Sequence, residues 1–194
     1  MDIQQLQRQL ETQGLGQQAA PVHLWEPAFC GDIDISIKRD GSWHYMGSPI
    51  GRLAIVKLFA SVLRKDQDKY FLVTPSEKVG IHVEDCPFII TDWQQQAGHI
   101  TFTTNLGDTV IVGTEHPVIL QPTIQVNEHP TSNTPNTANE LSLPYVLVRN
   151  RLYARLHQNV FYQLIELGVI ESNAAGQEQL MLQSGDYRFS LGQL

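Results

Sequence analysis

One pattern occurs twice along this chain in the same order: a hairpin, a strongly apolar helix, then a second hairpin. Placing Leu53 on Val160 carries Leu53-Ala54-Ile55-Val56-Lys57-Leu58 onto Val160-Phe161-Tyr162-Gln163-Leu164-Ile165 without a gap, and Val62-Leu63 then falls on Val169-Ile170. Such a recurrence restricts the fold to two small α+β lobes, because each unit has to bury its helix against its own strands. The lobes are expected at residues 1–86 and 87–194, with the interface between them as the natural cleft. The flanking strands need small shifts to match, so the likeness lies in pattern rather than identity.

Within the first lobe, Asp2 is placed to cap a helix over residues 2–13 whose stripe is Ile3, Leu6 and Leu10, with Gly14 to end it. Period-two alternation from Asp32 to Lys38 predicts a strand with Ile33, Ile35 and Ile37 facing inward, and Arg39-Asp40-Gly41-Ser42 turns the chain into a partner strand at Trp43–Met46. Ser48-Pro49 reads as a capped helix start, which predicts a helix over 48–65. That helix is apolar over most of its circumference, so it needs cover on more than one side. Strands are expected at Tyr70–Thr74 and Val79–Val83.

The second lobe reads as an antiparallel meander at Phe88–Asp92, His99–Thr103 and Thr109–Val112. Residues 127–144, rich in Asn, Thr and Pro, read as a mobile surface loop. A hairpin at Val146–Val148 and Leu152–Leu156, a helix over 159–170 and strands at Leu180–Leu182 and Tyr187–Leu191 complete the chain.

Composition narrows the partners. Lys and Arg total 13 against 20 Asp and Glu, a net charge of −7, which does not supply the clustered cations a nucleic-acid footprint needs. Charged residues interrupt every apolar stretch before membrane-spanning length, and the Gln-rich start lacks the features of a secretory signal, so a soluble, cytoplasmic protein is expected, with no membrane partner. In that setting Cys30 and Cys86 are thiols rather than a bridge.

Three groups of side chains carry the candidate chemistry. Gly47, Ser48, Gly51 and Arg52 would place backbone N–H groups and a forked cation at a helix start, a pattern that suits phosphate or carboxylate; a merely well-capped helix is the plainer reading. Asp32 and Asp34 share the outer face of a strand, where they could serve a metal-assisted enzyme on a phosphorylated substrate or simply be solvated. Glu84, Asp85 and Asp92 could point to the same cleft. Arg149, Arg151 and Arg155 form a basic group in the second hairpin that would hold an anion or make interface salt bridges. Trp43 and Tyr45 could stack on a planar ligand, although aromatics at such spacing also build cores. The histidines show no paired ligand spacing, so no metal or other cofactor is expected, and no catalytic residue stands out.

The ordered motifs Phe29-Cys30-Gly31-Asp32-Ile33-Asp34-Ile35, Gly47-Ser48-Pro49-Ile50-Gly51-Arg52, Leu58-Phe59-Ala60-Ser61-Val62-Leu63-Arg64, Val73-Thr74-Pro75-Ser76-Glu77-Lys78-Val79 and Val83-Glu84-Asp85-Cys86-Pro87-Phe88 resemble a bacterial family described as domain of unknown function 1285. The likeness is densest from Phe29 to Phe88 and returns around Arg149–Tyr162, where Leu156-His157-Gln158-Asn159 departs from an Arg-containing family pattern. The resemblance implies a duplicated α+β core, a C-terminal domain loosely like pleckstrin-homology folds, and a nucleotide-like ligand held between the domains by a signalling protein. It leads to three expectations, in this order: a ligand-binding regulatory protein with Trp43, Tyr45, Gly47, Ser48, Gly51, Arg52, Asp32, Asp34, Arg149 and Arg151 as site residues; an interaction module for a signalling partner without a small ligand; and the metal-assisted enzyme.

Overall fold

The computed structural model describes residues 3–12, 19–123, 141–172 and 176–193. The expected cap at Asp2, the stop at Gly14 and most of the 127–144 loop lie outside these residues.

The period-two segment forms strand β1 (Phe29–Ile37), with Ile33, Ile35 and Ile37 buried and Asp32 and Asp34 exposed on the opposite face. A turn through Gly41 leads to β2 (Trp43–Tyr45) and then to the two-residue β3 (Ser48–Pro49), which pairs with it. Ser48 is therefore a strand residue and not a helix cap. Met46 and Gly47, at φ 48° and 76°, make the tight two-residue turn between β2 and β3. The first lobe's helix, α2, begins only at Leu53, with Arg52 at its N-cap position and no side-chain cap. It follows α1 (Ile3–Thr12), whose Leu6 and Leu10 are fully buried.

Helix α2 (Leu53–Ser61) also ends earlier than expected, and Leu63–Asp66 becomes strand β4. An apolar pair such as Val62-Leu63 fits either period. Pairing decides it: Leu63 lies opposite Leu72 and Asp66 opposite Lys69 on β5 (Lys69–Val73), around a turn with Gln67 at φ 53°. Strand β6 (Lys78–Val83) returns parallel to β1, giving the sheet order β3-β2-β1-β6-β5-β4.

The meander forms as β7 (Phe88–Gln96), β8 (His99–Thr104) and β9 (Thr109–Ile111). Next come β10 (Val118–Thr123), β11 (Leu141–Arg149) and β12 (Leu152–Leu156) in a sheet ordered β10-β11-β12-β7-β8-β9, with β12 parallel to β7. Pro122 is tolerated in β10 because that strand is an edge. Leu141–Pro144, expected in a loop, instead extends β11, pairing Leu141 with Thr123 and Pro144 with Leu120. Helix α3 covers Gln158–Ile165 rather than 159–170, since Val169–Ser172 is strand β13. It opens a three-stranded sheet with β14 (Glu178–Ser184) and β15 (Tyr187–Gln193).

Among the described residues the chain is thus α+β with few helices, two six-stranded mixed sheets and one three-stranded sheet. The order hairpin, helix, three-stranded meander appears as β1-β2-α2-β4-β5-β6, with β3 added, and as β11-β12-α3-β13-β14-β15. One continuous buried cluster joins the halves, running from Leu6 and Phe59 to Phe88, Phe102 and Leu191. At the seam the β1–β2 turn presses on the C-terminal half: a Cβ on Gly41 would lie 2.8 Å from Ile89 Cγ1 and 2.9 Å from Asn105 Nδ2. Gly41 also sits at φ 81°, a conformation glycine adopts freely. Gly41→Ala is therefore expected to destabilise the protein by roughly 1–3 kcal/mol, read as a lowered denaturation midpoint with unchanged m; a midpoint equal to wild type would refute this account of the seam.

Candidate functional site

Two arginines from β11 and β12 hold the halves together. Arg149 donates through Nη1 to Asp108 Oδ1 at 2.5 Å and through Nη2 to the carbonyl of Ala60 at 3.0 Å, near the C-terminus of α2. Its guanidinium lies 4.7 Å from the centre of the Phe88 ring. Burial pulls Arg149 below its ordinary pKa, and the Asp108 carboxylate opposes that shift. Arg155 donates Nη2 to the carbonyl of Arg39 at 2.9 Å, and its Nε stands 3.4 Å from Asp85 Oδ2 without a hydrogen bond. The Tyr145 hydroxyl donates to Asp85 Oδ1 at 2.7 Å, so one carboxylate meets two groups from the other half. Burial, reinforced by Asp85, raises the Tyr145 pKa and keeps the phenol neutral.

Beside this cluster is a cavity of about 380 Å³ whose walls come from both halves. Asp40 contributes from the β1–β2 turn; Ile89, Pro144, Arg155, His157 and Phe161 are among those from the C-terminal half. Its walls are mostly apolar, with a cation and a half-buried aromatic ring, the composition usual for small-molecule sites. Asp40 is already engaged by the Ser42 N–H at 2.9 Å and hydroxyl at 2.6 Å, bonds that lower its pKa. His157 caps α3, its Nδ1 accepting from the Asn159 N–H at 3.3 Å.

The residues singled out in the sequence do not converge. Gly47, Ser48, Gly51 and Arg52 are all exposed around β3 and the start of α2. Arg149 binds the other end of that helix at Ala60, about 12 Å from Arg52 at 1.5 Å per residue. Arg151 is exposed in the β11–β12 turn at φ 66°. Trp43 is buried against Phe59, with ring centres 6.5 Å apart, and belongs to the core; Tyr45 is half-buried on the same cluster. Asp32 and Asp34 do share a groove, of about 440 Å³, with Asp68, Lys69 and His82 on the outer face of the first sheet. Among the described residues, no group of three or more His, Cys, Asp or Glu side chains is placed to hold a metal ion, so these carboxylates have no third ligand. Of the other acidic candidates, Glu84 pairs with Lys38 at 2.9 Å, Asp92 is exposed, and only Asp85 reaches the junction.

Another cavity, of about 750 Å³, lies wholly in the C-terminal half between β9 and the β14–β15 turn. Glu115 and Asp186 are among its lining residues and Lys and Arg are not, so it is a poor home for an anion. Arg155 meets Asp85 and the Arg39 carbonyl across long chain separations. The local cue for Arg155 was its place in the basic hairpin, which did not distinguish it from Arg149 or Arg151.

Residues 20–86 match the N-terminal domain of a family described as domain of unknown function (DUF1285), and residues 87–191 match its C-terminal domain. The chain belongs to the DUF1285 family. A crystal structure of a DUF1285 family protein from Silicibacter pomeroyi DSS-3 is similar at 39% identity and a TM-score of 0.76, over 92% of this chain and 90% of that one. A second, from Shewanella baltica OS155, matches at 25% identity and a TM-score of 0.51, over 68% of this chain and 90% of that one. No curated protein matches this DUF1285 chain.

Cys86 lies at the same junction, its thiol donating to the Phe88 carbonyl at 3.2 Å. Burial, with Asp85 adding to it, pushes its pKa up to about 12, whereas Cys30 is exposed. Because the thiolate is the reactive form, an aromatic disulfide reagent at pH 8 is expected to titrate one thiol quickly in the native protein and both in denaturant. Rapid native labelling of both would contradict a closed junction.

Proposed function

We propose that this DUF1285 protein is a ligand-binding regulatory protein of the cytoplasm that holds a small anionic, nucleotide-like molecule in the junction cavity between its two halves. The observation that carries the reading is that this cavity, walled from both halves, is lined by both Arg155 and Phe161. A guanidinium has five N–H donors, and Arg155 uses Nη2 on a backbone carbonyl, which leaves capacity for a phosphate or carboxylate. Phe161 offers a face for a planar base, and Ile89, Leu143 and Pro144 an apolar bed. A volume of about 380 Å³ suits a mononucleotide-sized ligand better than a larger one. The duplicated-unit reading supports this placement, since a junction between related units is where one ligand can bridge both. The signalling role and the pleckstrin-like reading of the C-terminal half rest on the sequence resemblance, and the ligand assignment does not draw on them.

A thermal-shift and calorimetric screen against nucleoside mono-, di- and cyclic phosphates tests the reading. A true ligand at a hundred times its dissociation constant should add about 2.7 kcal/mol of stability. Phe161→Ala should weaken it roughly tenfold, the loss of about 1.4 kcal/mol of stacking and burial, while Arg52→Ala should leave it unchanged. No binding by the wild type, or binding lost in Arg52→Ala and kept in Phe161→Ala, would overturn the assignment.

A further inference from the structure

The helix and edge strand that occur twice are covered in one copy and bare in the other. With Leu53 placed on Val160, Leu58, Ala60, Val62 and Leu63 correspond to Ile165, Leu167, Val169 and Ile170. The first set is 6%, 3%, 0% and 2% exposed; the second is 37%, 46%, 61% and 58% exposed. Tyr162, on α3, adds another exposed ring at 56%.

What lies above the first copy accounts for the difference. Helix α1 sets Leu6 and Leu10 against the core beside α2. The segment from Ala20 to Trp25 then runs beside β4: the Ala20 N–H donates to the Ser61 carbonyl at 2.8 Å, and Arg64 donates to the carbonyls of Val22 at 3.0 Å and Trp25 at 2.6 Å. Helix α3 is held on its inner side by buried Val160 and Leu164, and at the surface Trp93 Nε1 donates to Gln163 Oε1 at 2.7 Å. Tyr162 and Ile165 on its outer side, and Val169 and Ile170 on β13 at the edge of the β13-β14-β15 sheet, are exposed apolar side chains of the kind that mark interaction surfaces.

Charge indicates the occupant. Where the covered copy has Arg64, the bare copy has Glu171. From Leu156 to Leu194 the chain carries Glu166, Glu171, Glu178 and Asp186 against a single Arg188, which is itself paired with Glu171. We propose that the outer face of α3 and β13 is a docking surface for a partner protein that supplies an amphipathic helix with basic flanks, seated as α1 is seated beside α2. The helix's apolar stripe covers Tyr162, Ile165 and Ile170, and its cations meet Glu166 and, around the edge of β13, Glu171. A second copy of this chain is a poor occupant, because it carries a net charge of −7 and its own α1 stripe is already packed. This proposal does not depend on the nucleotide reading.

The test is fluorescence anisotropy of the full chain with a labelled designed peptide of about 14 residues, carrying leucines on one helical stripe and lysines beside it. Micromolar binding is expected, weakened about tenfold or more by Ile170→Thr, by Tyr162→Ala and by replacing the peptide's lysines with glutamates. Met46→Ser, at an exposed apolar side chain elsewhere, should change nothing. Thr keeps the β-branched shape at an exposed strand position, so unaltered thermal melting is expected for Ile170→Thr; Tyr162→Ala gives an independent reading from the helix. The proposal is overturned by absent binding, by binding indifferent to both variants, or by equal binding of the lysine and glutamate peptides. Sedimentation velocity showing a wild-type dimer that Ile170→Thr makes monomeric would overturn it in favour of self-association.

Discussion

From Leu58 to Ser61, helix α2 has no side chain to give to water. That constraint organises the molecule, because a helix buried all round needs cover from several directions at once. Helix α1 packs beside α2, Ile35 and Leu72 of the first sheet belong to the same buried cluster, and Arg149 of the C-terminal half reaches its last turn. Phe59, fully buried, packs near Trp43 within the cluster that continues to Phe88. The two halves therefore share a core, and the second is part of what makes the first stable.

Arg149 shows how the seam is made specific as well as apolar. The last carbonyls of a helix lack intrahelical partners and carry partial negative charge. Arg149 meets one of them at Ala60, balances Asp108, and sets its guanidinium over the Phe88 ring. A lysine could satisfy one of these demands but not the geometry of all three. Arg155 does comparable work with the Arg39 carbonyl and Asp85, but beside a cavity. The same residue type in one hairpin thus has two outcomes: one guanidinium closes a packed seam, and the other borders open space.

Strands were the most legible elements. Alternation at Ile33, Ile35 and Ile37 marks a half-buried strand because side chains two apart share a face, and the structure has that strand. Boundaries failed where a motif had two physical readings. Ser48-Pro49 is a good helix start in isolation, but left-handed Met46 and Gly47 close a turn that commits it to a strand. Val62-Leu63 and Val169-Ile170 each extended a helical pattern and each turned out to lead into or form an edge strand, because pairing with β5 and β14 outweighs local period. The junction was least legible. Asp85 meets Arg155 and Tyr145 only after the chain has passed through the whole meander, and nothing in the spacing of these residues announces it.

The two copies of the helix and edge strand also show a limit of hydrophobic patterning itself. Val62-Leu63 and Val169-Ile170 are near-equivalent in hydrophobicity, yet one pair is buried and the other exposed. Apolar spacing encodes that a face is to be covered; it does not say by what, or by which chain. The neighbouring charge carries that second message. Arg64 donates to carbonyls of its own chain's covering segment, so its cation is directed inward and half of its hydrogen bonding is to backbone. The Glu171 carboxylate has no N–H to donate and cannot hold a segment's carbonyls in that way. Its carboxylate instead pairs with Arg188 at the surface, where such a pair is weak and open to exchange. A single reversal of charge at matched positions separates a face closed by its own chain from one left accessible to cationic chemistry.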